Sequence, residues 1–189
     1  MLNNTAKIIV VSAPSGAGKT SILKHILSTY KNIIFSVSAT TRPKRDYEVD
    51  GVDYFFLSKE EFEEKIRNNE FIEYEKFYDN YYGTLKKFVD DNLGKGLSVI
   101  LEIDVNGASN IKIIYPDAVT IFIAPPNIET LIERLKSRNT EDEESLRKRI
   151  ERFEYELSFA DKYDYKIVND KLDVAIKDFE NILKKENII

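Results

Sequence analysis

An apolar segment, a glycine-containing turn and an amphipathic segment follow one another near the start of the chain, and this succession constrains the fold more than any other feature. Residues 7–11 (KIIVV) are a short β-branched run, typical of a strand that is covered on both faces. After the turn at residues 12–18, residues 19–29 carry apolar side chains at helical spacing. The order predicts a central buried strand, then a loop, then a helix.

The turn matches the pattern of phosphate-binding loops, G-x-x-x-x-G-K-[ST], except at its first position, where Ala13 replaces glycine. The exchange matters only if this residue needs a positive φ. Backbone N–H groups at a helix N-terminus can wrap a β-phosphate. We expect Lys19 to reach the β- and γ-phosphate oxygens and Thr20 to bind Mg²⁺; a solvated lysine in a chance turn is the alternative. The expected nucleotide-binding residues of the loop are Ala13, Pro14, Ser15, Gly16, Ala17, Gly18, Lys19 and Thr20.

Three later apolar runs predict the rest of a parallel sheet. They cover residues 97–103, 118–123 and 165–168, and segments of helical pattern separate them. Alternation of strand and helix favours right-handed crossovers within one α/β domain. Glu102 and Asp104 end the first of these runs, at a sheet edge where acidic residues orient Mg²⁺ or its waters. Either could instead be a helix N-cap, Asp104 above all, because a helix is expected to follow it.

The middle of the chain, residues 36–88, has a different pattern. Extended pieces at 53–57 and 71–77 flank one helix, and Ser58 and Glu61 can form a capping box at the start of that helix. The region is dense in Tyr, Arg and Glu. We interpret it as an α+β insertion that forms a binding module on the sheet.

A second capping box, Thr140 with Glu143, precedes another predicted helix. The charged loop at residues 137–144 contains no glycine and could act as a lid. One apolar stripe on the helix consists of Leu146, Ile150, Phe153 and Leu157.

The composition excludes several classes of protein. The 189 residues contain no cysteine and one histidine, so disulfides, thiolate metal sites and histidine clusters are excluded. The start of the chain lacks a basic region followed by a long apolar run, and no stretch approaches the ~18 apolar residues of a membrane span. We therefore expect a cytoplasmic protein without membrane contact. A net charge of −5 opposes binding to nucleic acid by general phosphate neutralisation.

A series of blocks resembles the guanylate kinase family in order and spacing, and together the blocks cover essentially the whole chain. Some family members carry serine at Thr84 and aspartate at Glu102, exchanges that keep the chemistry. The blocks are residues 36–45, 51–55, 69–73, 80–84, 101–104, 134–149 and 167–170.

The resemblance implies an α/β fold of the P-loop NTPase type, with three layers around a central parallel sheet, an α+β GMP-binding insertion and a short lid. It implies a single domain over residues 1–189. The core would comprise 1–35, 89–136 and 150–189, the insertion 36–88 and the lid 137–149.

The activity that the resemblance implies is transfer of the γ-phosphoryl of ATP to GMP, and to dGMP, giving ADP and GDP for purine metabolism and GMP recycling. Mg²⁺ is then the cofactor, ATP and GMP are the partners, and we expect a monomer or a small homo-oligomer. One alternative is a non-catalytic interaction module, which the intact Lys19 and Thr20 oppose. Another is a nucleoside monophosphate kinase with a different acceptor, which the blocks around Ser38 and Glu73 oppose.

Guanine recognition can be assigned to particular side chains because the base presents two adjacent donors, N1–H and N2–H₂. Glu73 can accept from both, and Ser38 or Thr84 can donate to O6. By resemblance, Asp104 also reaches this edge. The alternative is that Glu73 and Glu75 share an ordinary solvated strand face.

Arg42 and Arg45 are planar forks suited to the phosphate of GMP, and Tyr54 and Tyr82 add phenolic donors. Without the surrounding blocks, the arginines would be ordinary surface charges and the tyrosines half-buried packing residues.

The arginines around the expected lid complete the predicted site. Arg138 and Arg149 match family arginines that clamp the transferring phosphoryl group, whereas Arg147 and Arg152 match less specifically. Arg134, Arg138 and Asn169 are assigned to ATP, Asn169 through the adenine. The candidate catalytic residues are Lys19, Arg42, Arg138 and Arg149.

Overall fold

The computed structural model describes residues 5–136 and 143–189, and these ranges contain nine strands, seven α-helices and one short 3-10 helix at Ala160–Lys162. The strands are β1 (Ile8–Ser12), β2 (Ile33–Phe35), β3 (Ala39–Thr40), β4 (Phe55–Phe56), β5 (Phe71–Phe77), β6 (Asn80–Leu85), β7 (Ser98–Glu102), β8 (Val119–Ala124) and β9 (Tyr165–Val168). The helices are α1 (Lys19–Thr29), α2 (Lys59–Arg67), α3 (Lys86–Gly94), α4 (Val105–Ile114), α5 (Ile128–Lys136), α6 (Glu143–Leu157) and α7 (Leu172–Lys185).

The main sheet has five parallel strands in the order β2-β7-β1-β8-β9. Strand β1 lies at its centre, as predicted, with Val10 paired to Leu101 on one side and to Thr120 on the other. The four strands predicted from apolar runs are all confirmed. The edge strand β2 was not predicted, because three residues are too few to show a periodicity.

The central strand contributes to a core on both faces of the sheet. Ile9 and Val11 pack with residues of α1 and α7, whereas Ile8 and Val10 pack with residues of α3 and α4. Burying an aliphatic side chain of this size stabilises the fold by about 1.5–3 kcal/mol. The alternation produces the expected three layers, helices on each side of a buried sheet.

A second, four-stranded sheet, in the order β4-β3-β6-β5, lies in the predicted insertion. The predicted capping box is confirmed, because Ser58 and Glu61 exchange both hydrogen bonds at the start of α2. Phe62, on the same helix, is buried and stacks on Phe71 and Tyr81 at ring distances of 4.2 and 5.2 Å. This packing attaches α2 to the hairpin formed by β5 and β6.

Helices α5 and α6 pack together through an apolar cluster that contains Leu131, Leu135, Phe153 and, at its border, Leu157. Thr140 of the predicted capping box lies outside the described residues. Helix α6 continues without a break past residue 149, where the predicted lid ends. None of the helices in the described part of the chain combines the length and the apolar character needed to cross a lipid bilayer.

Candidate active site

The glycine loop lies between the end of β1 and the start of α1, at the carboxyl edge of the main sheet. Gly18 is the N-cap of α1 and has a φ of 89°, a left-handed conformation that favours glycine. A Cβ atom at Gly18 would also collide with Nδ2 of Asn169, so that a side chain here would displace Asn169. That Nδ2 group donates to the carbonyl of Ala17 at 2.7 Å. Asn169 therefore packs directly against the glycine loop, in the space that a side chain at residue 18 would occupy.

Ala13 occupies its position without backbone strain. Among the described residues, the non-glycine positions with positive φ are Asn69, Tyr78 and Asn187, and Ala13 is not one of them. The first position of the pattern therefore does not require glycine in this chain, which is the condition under which the exchange is harmless.

Lys19 and Glu102 form an ion pair at the mouth of the loop. Nζ of Lys19 lies 2.7 Å from Oε1 of Glu102, which ends the neighbouring strand β7. The hydroxyl of exposed Thr20 belongs to the same helical turn as Lys19. A carboxylate and a hydroxyl are hard oxygen donors that fit Mg²⁺, which usually keeps several waters and takes one or two protein ligands beside substrate phosphates. In the described ranges, no group of three or more His, Asp or Glu side chains is arranged to hold a metal ion by itself.

Three predicted site residues, the clamp residue Arg149 and the two residues Arg134 and Asn169 assigned to ATP, lie against the loop or beside it. Arg149 on α6 donates to Oγ of Ser15 at 2.5 Å. Arg134 on α5 donates to the carbonyl of Asn169 at 3.0 Å. Oδ1 of Asn169 is buried and has no hydrogen-bond partner within the described structure. Arg138, the other predicted clamp residue, lies outside the described residues.

Glu73 and Thr84 face each other across the β5–β6 hairpin, and Oγ1 of Thr84 donates to Oε1 of Glu73 at 2.7 Å. An irregularity at Ile72 creates this pairing, because Phe71 pairs with Leu85 whereas Glu73 pairs with Thr84. Burial raises the pKa of the Glu73 carboxyl above its ordinary value, although the Thr84 hydrogen bond lowers it in part. The alternative of a solvated strand face fits Glu75, which is exposed, but does not fit half-buried Glu73.

Asp104 lies opposite Glu73, on the wall of a cleft of about 460 Å³ that Glu75 also lines. Its carboxylate caps α4, with Oδ1 accepting from the backbone N–H groups of Asn106 and Gly107 at 3.1 and 2.8 Å. The helix-cap interpretation is therefore correct for Asp104. It does not exclude a role in binding, because the capped carboxylate still lines the cleft.

A second cluster surrounds Arg42. Both of its terminal nitrogens donate to the carboxylate of Glu48, at 3.0 and 2.6 Å, and its guanidinium lies 5.4 Å from the ring centre of Tyr54. Tyr54 in turn contacts Tyr82 edge to face. The Arg42 guanidinium lowers the pKa of Glu48 below its ordinary value. Sequence reasoning missed Glu48; the pattern that could have indicated it is a single glutamate among the cations of residues 42–48.

In the described structure, the side chains of Arg45 and Ser38 form hydrogen bonds with neither the Glu73–Asp104 cleft nor the Arg42 cluster. The guanidinium of Arg45 donates to the exposed phenol of Tyr47 at 2.8 Å, while its backbone N–H donates to Glu48 at the same distance. Ser38 is half-buried, and its carbonyl accepts from the N–H of Phe55. Arg45 therefore joins the Arg42 cluster through its backbone only.

Comparisons with known proteins agree with this geometry. The family model described as guanylate kinase matches residues 5–186. The guanylate kinase of Chlorobium luteolum is 49% identical over 93% of this chain and 90% of its own length. The guanylate kinase of Carboxydothermus hydrogenoformans is 47% identical over 96% of this chain and 89% of its own length. The crystal structure of guanylate kinase from Anaplasma phagocytophilum superposes with a TM-score of 0.74 at 34% identity, covering 98% of this chain and 88% of the other.

These matches run through the glycine loop, the acidic cleft and the arginine cluster alike. The chain therefore belongs to the guanylate kinase family, the nucleoside monophosphate kinases that transfer phosphate from ATP to GMP.

Proposed function

We propose that the glycine loop holds ATP, that the acidic cleft and the Arg42 cluster hold GMP, and that the two sites meet at the end of β7. The observation that supports this is the placement of two carboxylates on that strand end. Glu102 pairs with Lys19 of the loop, whereas Asp104, two residues later, lines the cleft with Glu73. One short segment thus faces both substrates.

In this proposal the cleft selects guanine through its carboxylates. Glu73 accepts from N1–H and N2–H₂, Asp104 supports it at the same edge, and Thr84 and Ser38 offer hydroxyls to O6. Adenine lacks the N1 proton and would leave buried acceptors unpaired. A site of this kind discriminates by about 10⁴ or more.

The phosphate of GMP would lie in the Arg42 cluster. Arg42 provides a charged fork, Tyr54 and Tyr82 provide phenolic donors, and Arg45 is close enough in the chain to turn its guanidinium inward. Glu48 holds the Arg42 fork in one orientation through two hydrogen bonds. A fork held in advance loses less side-chain entropy when the phosphate binds.

Phosphoryl transfer then requires positioning and charge stabilisation, since an oxygen of the acceptor phosphate is already an anion. Lys19, Arg149 and Arg138 would neutralise charge on the γ-phosphoryl group, and Asn169 and Arg134 would contact the adenosine part of ATP. The unpaired Oδ1 of Asn169 suits the amino group of adenine. Thr20 and Glu102 would hold Mg²⁺, which offsets negative charge on the phosphate oxygens when it is bound.

We also propose that the insertion at residues 36–88 and the lid at 137–149 move toward the sheet when both nucleotides bind, because ligands on each must converge on one phosphoryl group. Closure would exclude water and suppress hydrolysis of ATP. Small-angle scattering of the apo and doubly liganded protein tests this. The radius of gyration should fall, and an unchanged radius would confine the response to side chains.

The assignment of the acceptor is tested by a coupled assay of ADP release with ATP, Mg²⁺ and one of GMP, dGMP, AMP, UMP or dTMP. We expect turnover with GMP to exceed that with AMP by about 10⁴-fold in kcat/KM. Comparable rates with AMP would contradict guanine selection. No turnover with any acceptor would favour an interaction module.

A further inference from the structure

Helix α6 contacts the start of α4 at two points that the proposed chemistry does not use. The phenol of Tyr155 donates to Oδ1 of Asn106 at 2.8 Å, and a terminal nitrogen of Arg152 lies 4.0 Å from Oδ2 of Asp104. Residues 152 and 155 are three apart, so they share one face of the helix. Asn106 in turn donates from Nδ2 to Oδ2 of Asp104 at 3.3 Å. Both contacts therefore converge on the carboxylate of Asp104.

The wall of the acceptor cleft is crowded with negative charge. Glu73, Glu75 and Asp104 line one cleft together. The side chain of Arg152 interacts electrostatically with Glu75 and Asp104 and is held in place by Glu156, whose Oε1 accepts from its Nε at 2.8 Å. A cation at this point offsets repulsion among carboxylates that must stand close enough to accept from one base.

The same helix also reaches the donor site. Arg149 lies one turn before Arg152 and contacts Ser15 of the glycine loop. Successive turns of α6 therefore contact the glycine loop and the wall of the acceptor cleft. A shift of this helix would displace contacts at both sites.

We propose that Arg152 and Tyr155 are positioning residues for the acceptor site: from α6 they fix the start of α4, and with it the Asp104 carboxylate, in the geometry that guanine binding requires. This inference rests on the proposed function, since it assigns GMP to the cleft. Neither side chain touches the reacting atoms, so the effect falls on GMP binding and not on the chemical step.

The test uses the full chain and compares Arg152→Gln, Arg152→Lys and Tyr155→Phe with wild type. Arg147→Gln is the matched control, because Arg147 lies on the same helix, pairs with a glutamate four residues later as Arg152 does, and is 81% exposed. KM for GMP, KM for ATP and kcat are measured for each, together with the GMP dissociation constant by calorimetry. Melting temperatures confirm that each variant is folded.

Arg152→Gln should raise both KM and Kd for GMP about fivefold to tenfold, and Tyr155→Phe should raise them about threefold, as expected for the loss of one interaction. KM for ATP and kcat should stay within about twofold of wild type, and Arg152→Lys should recover a large part of the affinity. Arg147→Gln should bind GMP like wild type.

Arg152 also pairs with the buried carboxylate of Glu156, so Arg152→Gln can loosen α6 for a reason unrelated to Asp104. Tyr155→Phe leaves that ion pair intact and therefore tests the contact with α4 separately. Loosening would also disturb Arg149 and raise KM for ATP equally, and that result would overturn the proposal. So would GMP affinities equal to those of Arg147→Gln, a gain in affinity, or no recovery with lysine. A wild-type chain that neither binds nor phosphorylates GMP would instead refute the proposed function.

Discussion

The proposed donor side of the molecule is built on one stretch of backbone, whereas the proposed acceptor side is formed by side chains from several separate elements. Residues 13–20 turn from β1 into α1 in a form that depends on the positive φ of Gly16 and Gly18. The acceptor side combines Glu73 of β5, Thr84 of β6 and Asp104 before α4. The first site depends on local conformation, and the second depends on how distant elements pack.

The two sides also differ in charge. On the donor side the cation Lys19 has an acidic partner, Glu102, at 2.7 Å. On the proposed acceptor side carboxylates line one cleft, and partial desolvation on the cleft wall, together with Asp104, raises the pKa of Glu75 although its side chain is exposed. A loop that binds through its backbone N–H groups is insensitive to most substitutions of nearby side chains. The charge of a pocket lined by carboxylates changes with each neighbouring side chain. Single substitutions should therefore affect one substrate at a time.

The largest effect is expected at Lys19. Lys19→Ala should lower kcat by about 10³-fold, because it removes a cation from the developing charge of the transition state. The fold should persist, since the Lys19–Glu102 pair is partly solvated and exposed pairs contribute little to stability. Lys24→Ala, on the exposed side of the same helix, is the control. A folded Lys19→Ala protein with nearly normal kcat would refute the assignment of the loop.

Glu73→Gln should impair the acceptor side alone. The amide adds a donor that faces the donors of guanine, so the transition state with GMP should lose about 2–4 kcal/mol. The ratio of kcat/KM for GMP to that for AMP, at saturating ATP and Mg²⁺, measures the effect. Glu75→Gln, on the same strand face but exposed, should change the ratio much less. An equal fall in both variants would assign selectivity to the total charge of the cleft.

Glu48→Gln should have an intermediate effect. Loss of the charged partner frees the Arg42 fork, so KM for GMP should rise about tenfold while KM for ATP stays unchanged. Glu60→Gln, on the exposed face of α2, is the control for removing a charge from the insertion. If KM for ATP rises in parallel, Glu48 stabilises the domain as a whole and does not orient Arg42.

The smallest effect concerns stability and pH. Because burial raises the pKa of Glu73, this group stabilises the fold most below its unfolded pKa, and that contribution is lost as the pH rises through the folded pKa. The melting temperature of Glu73→Gln minus that of wild type should therefore increase slightly from acidic to neutral pH. Glu64→Gln, on the exposed side of α2, controls for the lost charge. A pH-independent difference would mean that Glu73 is solvated.

Sequence was sufficient wherever a structure is determined by neighbouring residues. Strands β1, β7, β8 and β9 were predicted from short apolar runs, although in β9 only Ile167 is buried, and the start of α2 was predicted from a serine three residues before a glutamate. The glycine loop was predicted from eight consecutive residues. In each case the signal, an apolar run, a capping pair or a glycine-containing turn, lies within a few consecutive residues of the chain.

The features that sequence did not predict depend on distant partners. Strand β3 has two residues and exists because Ala39 pairs with Gly83 on β6 and with Phe55 on β4. The irregularity at Ile72 leaves no mark in the sequence, yet it sets Glu73 opposite Thr84. The contacts of Arg152 and Tyr155 follow from the packing of α6 on α4. No periodicity encodes any of these placements.

The central position of β1 has a consequence for the order of folding during synthesis. Val10 is made early, but its partners Leu101 and Thr120 follow about 90 and 110 residues later, a delay of roughly 5–20 s at usual rates of translation. The β5–β6 hairpin pairs residues that are close in the chain and can form as soon as both strands are made. The nascent acceptor module is therefore expected to acquire structure while β1, with its four consecutive aliphatic residues, is still exposed and accessible to chaperones.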